Sequence, residues 1–516
     1  MKPIVILFVI LACLSPTLTL LSLWQVKEWR FDRLIEHLKR EGLIRQLYGS
    51  LRPNILFASL LLTIIGMTIL DPVFVETIVV LGLLSILAVL SCIQMLLRKQ
   101  PTPVWTSKAM LMLMLSLMAA FISLSLSIHL SLLALVIIPF LCPFLVLLSW
   151  IITKPIDVLL KSRTIRNATE ARKKHPSLTV IGITGSVGKT TTKELLAHIL
   201  KKRGAKATPA HINTEMGVAA WLLKTLADKP ADWPGMLIVE MGAYRKGEIK
   251  ILSDIAKPQI GVITFIGLQH LSLFGSLEAI RDAKGELFAA LPKSGHAFMN
   301  HDNAASEKLR DRCLCPVTTV GTDGRANLSA LDIEETGEGI RFTVRNQQFV
   351  VPIAGTHTVT SILFAIGVAE KLGMDLRTIA NELRSFRPLA RTFEVKHIRG
   401  ITVLDDTYNA SPESFRAAIH WAQSQPEHEK VLLTDGIIEL GASEESVHAE
   451  LAKEAANVFS RVCIGNVRFL EYFRKNGFGD RAVLLSTKPD RVQAGGLLVC
   501  IGRVPRTAID ELLPTT

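Results

Sequence analysis

The sequence predicts a membrane-spanning α-helical region followed by two α/β domains. Three observations predict it. The apolar excess is concentrated before residue 154. A strand–glycine turn–helix unit with the composition of a phosphate loop starts at residue 179. After residue 389, short apolar strands alternate with helical stretches, as in an open parallel sheet. The expected boundaries are 1–153 for the membrane region, 154–176 for a basic, helix-prone connector, 177–388 for the first α/β domain and 389–516 for the second.

The N-terminal expectation rests on charge spacing. Of 516 residues, 49% are hydrophobic, and the mean hydropathy is positive. Residues 3–24 and 53–70 carry no formal charge, and 72–97 carry only Glu76. The run 109–153 is uncharged apart from His129. A spanning helix needs ~20 apolar residues, so the last run is long enough for two and the expectation is five spans. Lys and Arg cluster in 25–52, 98–108 and 154–174, while the turns at 71–73 and 128–130 carry none. Five spans put all three basic segments on one side. The positive-inside rule makes that side the cytoplasm, and with it everything after residue 154. The result is a multi-pass protein of the cell membrane. The first span reads as an anchor or as a signal peptide; its length and the lack of a small-residue cleavage site before Trp24 favour the anchor.

The net charge of +12 is then chiefly a membrane feature, because juxtamembrane basic clusters attract a bilayer with anionic head groups. No aromatic-interleaved basic stripe supports a nucleic-acid partner. Seven cysteines are present, three of them in the apolar spans. Cys313 and Cys315 form an isolated C-x-C, so the soluble cysteines read as reduced thiols and not as a zinc site.

In the first α/β domain, residues 179–184 are apolar and β-branched, which suits a buried strand. Thr184, Gly185, Ser186, Val187 and Gly188 form the turn, and a helix is expected over 190–200. Glycines let backbone N–H groups approach phosphate oxygens, and the helix N-terminus adds positive charge. Lys189 can reach the terminal phosphates of ATP, and Thr190 can offer a hydroxyl to Mg²⁺, with Thr191 next to it. The strict P-loop pattern has a glycine where Ile183 stands. The apolar strand 236–240 ends in Glu240, the arrangement of a Walker-B acid beside the phosphates. His270 follows a strand expected at 260–265. Lys284 lies on a helix expected after Ser276. Taken alone, each also reads as an ordinary structural or surface residue. Short antiparallel strands are expected over 326–353 and a helix over 355–372. In the second domain, strands are expected at 401–405, 430–434, 461–465, 482–486 and 496–501. The first ends in DDTYNASP, 405–412, which reads as a ligand-facing loop or as a capping turn.

Several stretches occur in the order of one known family: TGSVGKTTTKE, NTEMGV, VEMGAYRKGEI, HLSLFGSLEAIRDAKGELF, the G-x-H at Gly355 to His357, Arg391, DDTYNASPES and IELG at 438–441. Over roughly 177–450 the chain resembles the Mur ligases, and within them the branch whose incoming amine is D-alanyl-D-alanine. The resemblance implies a central P-loop ATPase domain and a Rossmann-like C-terminal domain. It also implies an ATP- and Mg²⁺-dependent amide ligase of peptidoglycan precursor synthesis, acting on a muramoyl peptide acceptor and an amino acid or dipeptide amine.

By motif position, the resemblance implies that Lys189 holds the β- and γ-phosphates, and that Thr190 and Glu240 bind Mg²⁺. His270 helps to hold a second Mg²⁺. Lys284 matches a lysine that is carbamylated, which turns an ammonium into a metal-supporting carboxylate. Asn300 matches an adenine contact, Asp406 a ribose contact and Arg391 a phosphate contact at the interdomain hinge. Asn213, Thr214, Tyr408, Asn409 and His448 are candidates for substrate contact.

The chain departs from the family at Ser272, Ser361, Ala390, Asp435-Gly436 and the CIGR stretch 500–503. The ATP machinery is therefore matched more fully than the C-terminal domain that helps to bind the amine. The apolar spans stand where the family has a soluble domain for the UDP-linked precursor. That implies a UDP-linked or lipid-linked acceptor used beside the membrane. Other readings stay open: a ligase making another amide such as poly-γ-glutamate, a nucleotide-binding membrane scaffold, and a transport ATPase, which the missing LSGGQ signature disfavours.

Overall fold

The computed structural model describes residues 2–49, 51–68, 72–97, 101–127, 132–408 and 410–514. The chain divides into two compact units, Met1–Ser162 and Arg163–Thr516.

The first unit is helical. Its elements are α1 (Lys2–Val26), α2 (Phe31–Glu41), α3 (Leu43–Tyr48), α4 (Leu51–Met67), α5 (Pro72–Leu96), α6 (Ser107–Ser127) and the start of α7 (Leu132–Lys173). Four of these, α1, α5, α6 and α7, are long and apolar enough to cross a membrane. The span expected at 53–70 corresponds to α4, which has 17 residues. That is at the short end of the roughly 17–25 residues that can cross. Large apolar side chains on the outer faces, Phe57, Met114 and Leu126 among them, are left exposed while others form an internal core. Trp24 stacks on Trp150 at 5.0 Å, and Lys154 and Lys108 sit 4.9 Å over Trp150 and Trp29. Such a layer of tryptophan and lysine is typical of a membrane–water interface.

The expected connector at 154–176 is the continuation of α7. Its last turns belong to the second unit, where Ile165 and Ala168 pack on the core. The Arg172 guanidinium donates to the carbonyls of Ala256 at 2.9 Å, His175 at 2.6 Å and Leu178 at 3.0 Å.

From Thr179 the chain builds a seven-stranded parallel sheet. Its elements are β1 (Thr179–Thr184), α8 (Lys189–Ile199), β2 (Lys206–Ala207), α9 (Glu215–Leu226), β3 (Met236–Glu240), α10 (Glu248–Ala256), β4 (Ile260–Ile263), α11 (Leu271–Phe274), α12 (Leu277–Ala289), β5 (His296–Asn300), α13 (Ala304–Glu307), β6 (Val317–Gly321) and β7 (Leu328–Ser329). The strand order is β2-β3-β1-β4-β5-β6-β7. Alternation along β1 sends Ile181 and Ile183 to the core shared with α8, and Val180 to the core shared with α9, α10 and α12. The first strand therefore has a parallel neighbour on each side, β3 and β4. Its C-terminal end is the crevice where an open α/β sheet binds ligands.

A small antiparallel sheet follows, of β8 (Leu331–Thr336), β9 (Gly339–Val344) and β10 (Gln347–Val351). Then come α14 (Val359–Lys371), apolar on nearly every side and central to its core, and α15 (Leu376–Leu383). The last domain has six strands: β11 (Glu394–Ile398), β12 (Ile401–Asp406), α16 (Pro412–Ser424), β13 (Lys430–Thr434), α17 (Glu444–Ala456), β14 (Arg461–Ile464), α18 (Val467–Phe473), β15 (Ala482–Leu484), β16 (Leu497–Ile501) and α19 (Arg506–Leu512). The order β11-β12-β16-β13-β14-β15 is parallel except at β11. That edge strand, Glu-Val-Lys-His-Ile, is largely polar, and no strand was expected there. The other five fall where sequence spacing puts them.

Candidate functional site

The site is built on the turn after β1. Gly185 (φ +148°) passes so close to β4 that an added Cβ would lie 2.0 Å from Thr264 Oγ1. Gly188 (φ +83°) opens α8 in the left-handed region. Ser186 anchors the loop: its N–H donates to Phe265 O at 2.6 Å, and its Oγ donates to Gly267 O at 3.0 Å. Thr184 Oγ1 donates to Met241 O at 2.8 Å. The loop is thus shaped before any ligand arrives. The Lys189 ammonium folds back onto the carbonyls of Gly185 at 2.6 Å and Ser186 at 3.0 Å.

Glu240, at the end of β3, gathers the next group. One carboxylate oxygen accepts from Thr190 Oγ1 at 3.0 Å, and the other from Asn213 Nδ2 at 3.1 Å. Lys193 is fully buried. Its Nζ donates to Thr208 O at 3.0 Å, pairs with Glu194 at 3.0 Å and lies 3.6 Å from Glu240. Sequence reasoning missed Lys193, because a lysine in mid-helix ordinarily faces water. The usable signal is its spacing of four from Lys189, which puts both on one face of α8.

Lys284 and His270 lie close by. Ile280, Ala283, Leu287 and Phe288 are the buried stripe of α12, and Lys284 stands in the middle of it. It makes no hydrogen bond or ion pair among the described residues. Burial, reinforced by the Lys189 charge, drives its ammonium well below the usual lysine range, against the pull of Glu248 and Glu240. His270 adopts φ +59°, and its Nδ1 is bonded to the Glu439 carboxylate of the C-terminal domain. Burial lowers its imidazole; the Glu439 bond opposes that shift. Glu439 (φ +67°) also accepts from Ser272 N–H at 3.1 Å. Left-handed residues on both sides of one contact are the kind of strain that clusters at functional sites.

Between the two α/β domains lies a cavity of about 340 Å³, lined by Ser186 to Thr191 on one side and Asp406 and Tyr408 on the other. Asn300, His357, Phe364 and Phe386 also line it. The Asn300 amide is engaged at both ends, donating to Thr264 O at 2.7 Å and accepting from Asp302 N–H at 2.9 Å. Burial away from water pushes the His357 imidazole down to about 4. Asp406 Oδ1 accepts from Phe393 N–H at 3.1 Å, and its Oδ2 has no partner. Burial, with Asp405 alongside, raises its carboxyl to about 7 despite that bond. Tyr408 stacks on His211 at 4.9 Å, and its hydroxyl meets His211 Nδ1 at 3.0 Å. His211 belongs to the expected polar turn but was not singled out.

Two expected site residues turn away from this cavity. The Arg391 guanidinium bonds Thr407 Oγ1 at 2.7 Å and the carbonyls of Thr407 and Val504, both at 3.1 Å, so it ties together its own domain. His448 is enclosed. It accepts from Ile437 N–H at 2.9 Å, and its Nδ1 bonds Glu444 O at 2.7 Å, so it props the loop before Glu439 and does not face substrate. Thr214 precedes α9 without a side-chain cap. Asn409 lies outside the described residues.

The implied Mg²⁺ can be tested against these groups. Among the described residues, no cluster of three or more His, Cys, Asp or Glu forms a cage. Mg²⁺ keeps several waters and takes one or two protein oxygens beside phosphates. The Thr190 hydroxyl and Glu240 carboxylate, 3.0 Å apart at the foot of the loop, fit that demand.

A phosphate loop at the switch point of a parallel sheet, faced by a second α/β domain across a cavity, defines a P-loop nucleotide-binding unit with a closing domain. Residues 183–369 match the Mur ligase middle domain, and this part of the chain belongs to the Mur ligase family. The chain is 35% identical over 267 residues to the UDP-N-acetylmuramoyl-tripeptide–D-alanyl-D-alanine ligase of Synechocystis sp., covering 51% of this chain and 56% of that protein. It is 37% identical over 262 residues to the Mycobacterium tuberculosis ligase of the same name, covering 48% and 50%. The chain thus spans about half the length of the curated relatives it matches. Among solved structures, MurF ligase from Thermotoga maritima in complex with ADP superposes with a TM-score of 0.59 at 26% identity, over 68% of this chain and 82% of that one. MurF from Acinetobacter baumannii shares the fold with a TM-score of 0.60 at 23% identity, over 68% and 80%.

Proposed function

We propose that this chain is a membrane-anchored, ATP-dependent ligase that joins the carboxylate of a muramoyl peptide precursor to an incoming amine, D-alanyl-D-alanine in the reading that the relatives' names support. The observation that carries it is that Lys189, Thr190 and Asp406 line one cavity between residues 177–388 and 389–516, with Glu240 bonded to Thr190 behind it.

A carboxylate is a poor electrophile because its charge repels nucleophiles. Its oxygen attacks the γ-phosphorus of ATP, ADP leaves, and an acyl phosphate forms. The amine then attacks the acyl carbon, the carbon–oxygen bond to phosphate breaks, and the amine loses a proton. Two anions must meet in the first step, so cations are needed. Lys189 exchanges its own loop carbonyls for the β- and γ-phosphates. Thr190 and Glu240 would hold Mg²⁺, with His270 towards a second position, and the ion would supply charge neutralisation there. Lys193 keeps the Glu240 carboxylate turned towards Thr190. Lys284, driven towards its neutral amine, is in the form that takes up CO₂, and the resulting carbamate is the anion a second cation near His270 calls for. Asp406, with one oxygen free, suits a ribose hydroxyl, and Asn300 the adenine side. Arg391 meets phosphate only after leaving Thr407. Asn213, Thr214 and Tyr408 are the candidates for the acceptor and amine.

The helices before residue 154 anchor the enzyme, and with α4 as a fifth span the positive-inside rule puts the catalytic domains in the cytoplasm. The acceptor is UDP-linked or lipid-linked. The test is ADP release by detergent-purified full-length protein with Mg²⁺, ATP and UDP-N-acetylmuramoyl tripeptide, with and without D-alanyl-D-alanine. Dipeptide-dependent release, a product heavier by the dipeptide less water, and loss in Lys189→Ala are expected. Release that ignores the dipeptide overturns the choice of amine.

A further inference from the structure

We propose that the N-terminal helical unit carries a binding site for the phosphate of an anionic lipid, centred on Arg52. The inference rests on the membrane-spanning reading of these helices and not on the ligase reading.

Arg52 lies at the start of α4, and its side chain reaches between α1 and α5. Its Nη2 donates to Ser15 Oγ at 3.2 Å and to Gln94 Oε1 at 3.1 Å. Ser15 Oγ donates to the same Gln94 oxygen at 2.8 Å. Both partners are neutral. Three other cations of this unit have acids: Arg30 pairs with Asp32, Arg33 with Glu28 and Lys108 with Asp157. Arg52 has no carboxylate partner among the described residues, and its Nε and Nη1 make no hydrogen bond there.

The position makes this unusual. Ser15 precedes Gln25 on α1 by ten residues, ~15 Å of helix. At the Gln25 end, both amide atoms of that residue bond the Val104 backbone, at 2.9 Å and 2.7 Å, next to the stacked Trp24 and Trp150. The guanidinium thus lies about 15 Å from that aromatic layer, at the first turn of α4 and the last turn of α5. It stays charged at every accessible pH. Neutral oxygens offset its desolvation only in part, and an ionisable group held inside a helical membrane unit marks a functional site with a partner to be named. A planar fork with free Nε and Nη1 matches two oxygens of a phosphate.

The surroundings select a lipid over a free anion. Phe57, Leu61 and Ile64 repeat at helical spacing along α4 with exposed side chains, and Leu96 and Leu97 follow Gln94, also exposed. An acyl chain finds contact along this rail. A free phosphate gains nothing from it.

The experiment uses full-length protein. Membranes are first washed with alkaline carbonate, and the retained protein is then titrated in detergent with dioctanoyl phosphatidate, dioctanoyl phosphatidylcholine and inorganic phosphate. Wild type is expected to prefer phosphatidate over phosphatidylcholine by about tenfold or more. Arg52→Gln should abolish the preference, while Arg45→Gln, at an exposed basic residue of α3, should keep it within about twofold. Gln94→Glu supplies an internal counter-charge, so it should lose the preference without loss of heat resistance. Phosphatidate binding unchanged in both Arg52→Gln and Gln94→Glu overturns the proposal, as does displacement by inorganic phosphate at equal concentration. Release by alkali fails the membrane reading itself. Retention without an Arg52-dependent preference fails this inference alone.

Discussion

At the scale of single residues, the site is a set of charges whose environment opposes them. Lys284 is a cation placed in an apolar stripe. Replacing it with Met removes that conflict, so Lys284→Met should raise the stability of the nucleotide-free protein by about 1–2 kcal/mol. The same change should abolish amine-dependent ADP release. A variant that is both less stable and fully active would remove Lys284 from the site. Asp406 has a definite sign. Its folded carboxyl sits at about 7, above the usual carboxylate range, so the folded protein holds a proton that the unfolded chain releases near pH 4. That stabilisation is present at low pH and is lost as pH rises through 7. Urea unfolding of wild type and Asp406→Asn at pH 5 and pH 8 should differ by about 2–3 kcal/mol in their pH dependence, with the wild type losing more. The signal for Lys284 was available in sequence, since Ile280, Ala283, Leu287 and Phe288 frame it at helical spacing. The signal for Asp406 was not, because its burial comes from Phe393 and the cavity wall.

At the scale of elements, the phosphate loop is the most demanding piece. Its path depends on the absence of a Cβ at Gly185, where Thr264 Oγ1 would be only 2.0 Å away. Gly185→Ala should cost about 1–3 kcal/mol and abolish ATP binding, measured by urea unfolding and by nucleotide titration. Unchanged nucleotide affinity would mean that the loop is not the phosphate site. Strands β1 and β3 were legible to the residue, because buried parallel strands are continuous apolar runs bounded by glycine or acid. Strand β11 was not, because an edge strand has one open side and tolerates Lys396 and His397. The long apolar helices were legible as charge-free runs, and α4 is shorter than its run. Its apolar stretch is continuous in sequence, while the helix itself ends at Met67.

At the scale of the molecule, the proposed function requires the two α/β domains to meet. Contacts across them include His270–Glu439, Tyr408–His211 and the indole N–H of Trp421 donating to Glu335 at 2.8 Å. Glu439→Ala removes the His270 partner. Solution scattering of that variant without nucleotide should show a larger radius of gyration than wild type. An unchanged radius would assign closure to the other two contacts. The unit from Arg163 onward contains the three cores on which the site stands. Expressed alone, it should be soluble and bind ADP within about threefold of the full chain. Loss of binding there would tie the nucleotide site to the helical unit.

The sequence by itself determined the order of parts, the phosphate loop, the acid at the end of β3 and the family to which residues 183–369 belong. These are local patterns: charge-free runs, strand–glycine–helix spacing and motif order. Only the tertiary structure decided which side chains share a site. It turned His448 and Arg391 into the C-terminal domain, brought Lys193 against Glu240, joined His270 to Glu439 and left Arg52 between α1 and α5 without an acid among the described residues. The physical reason is that burial and charge pairing are made by residues far apart in the chain, so a side chain's direction and its proton affinity are set by packing that no local spacing encodes.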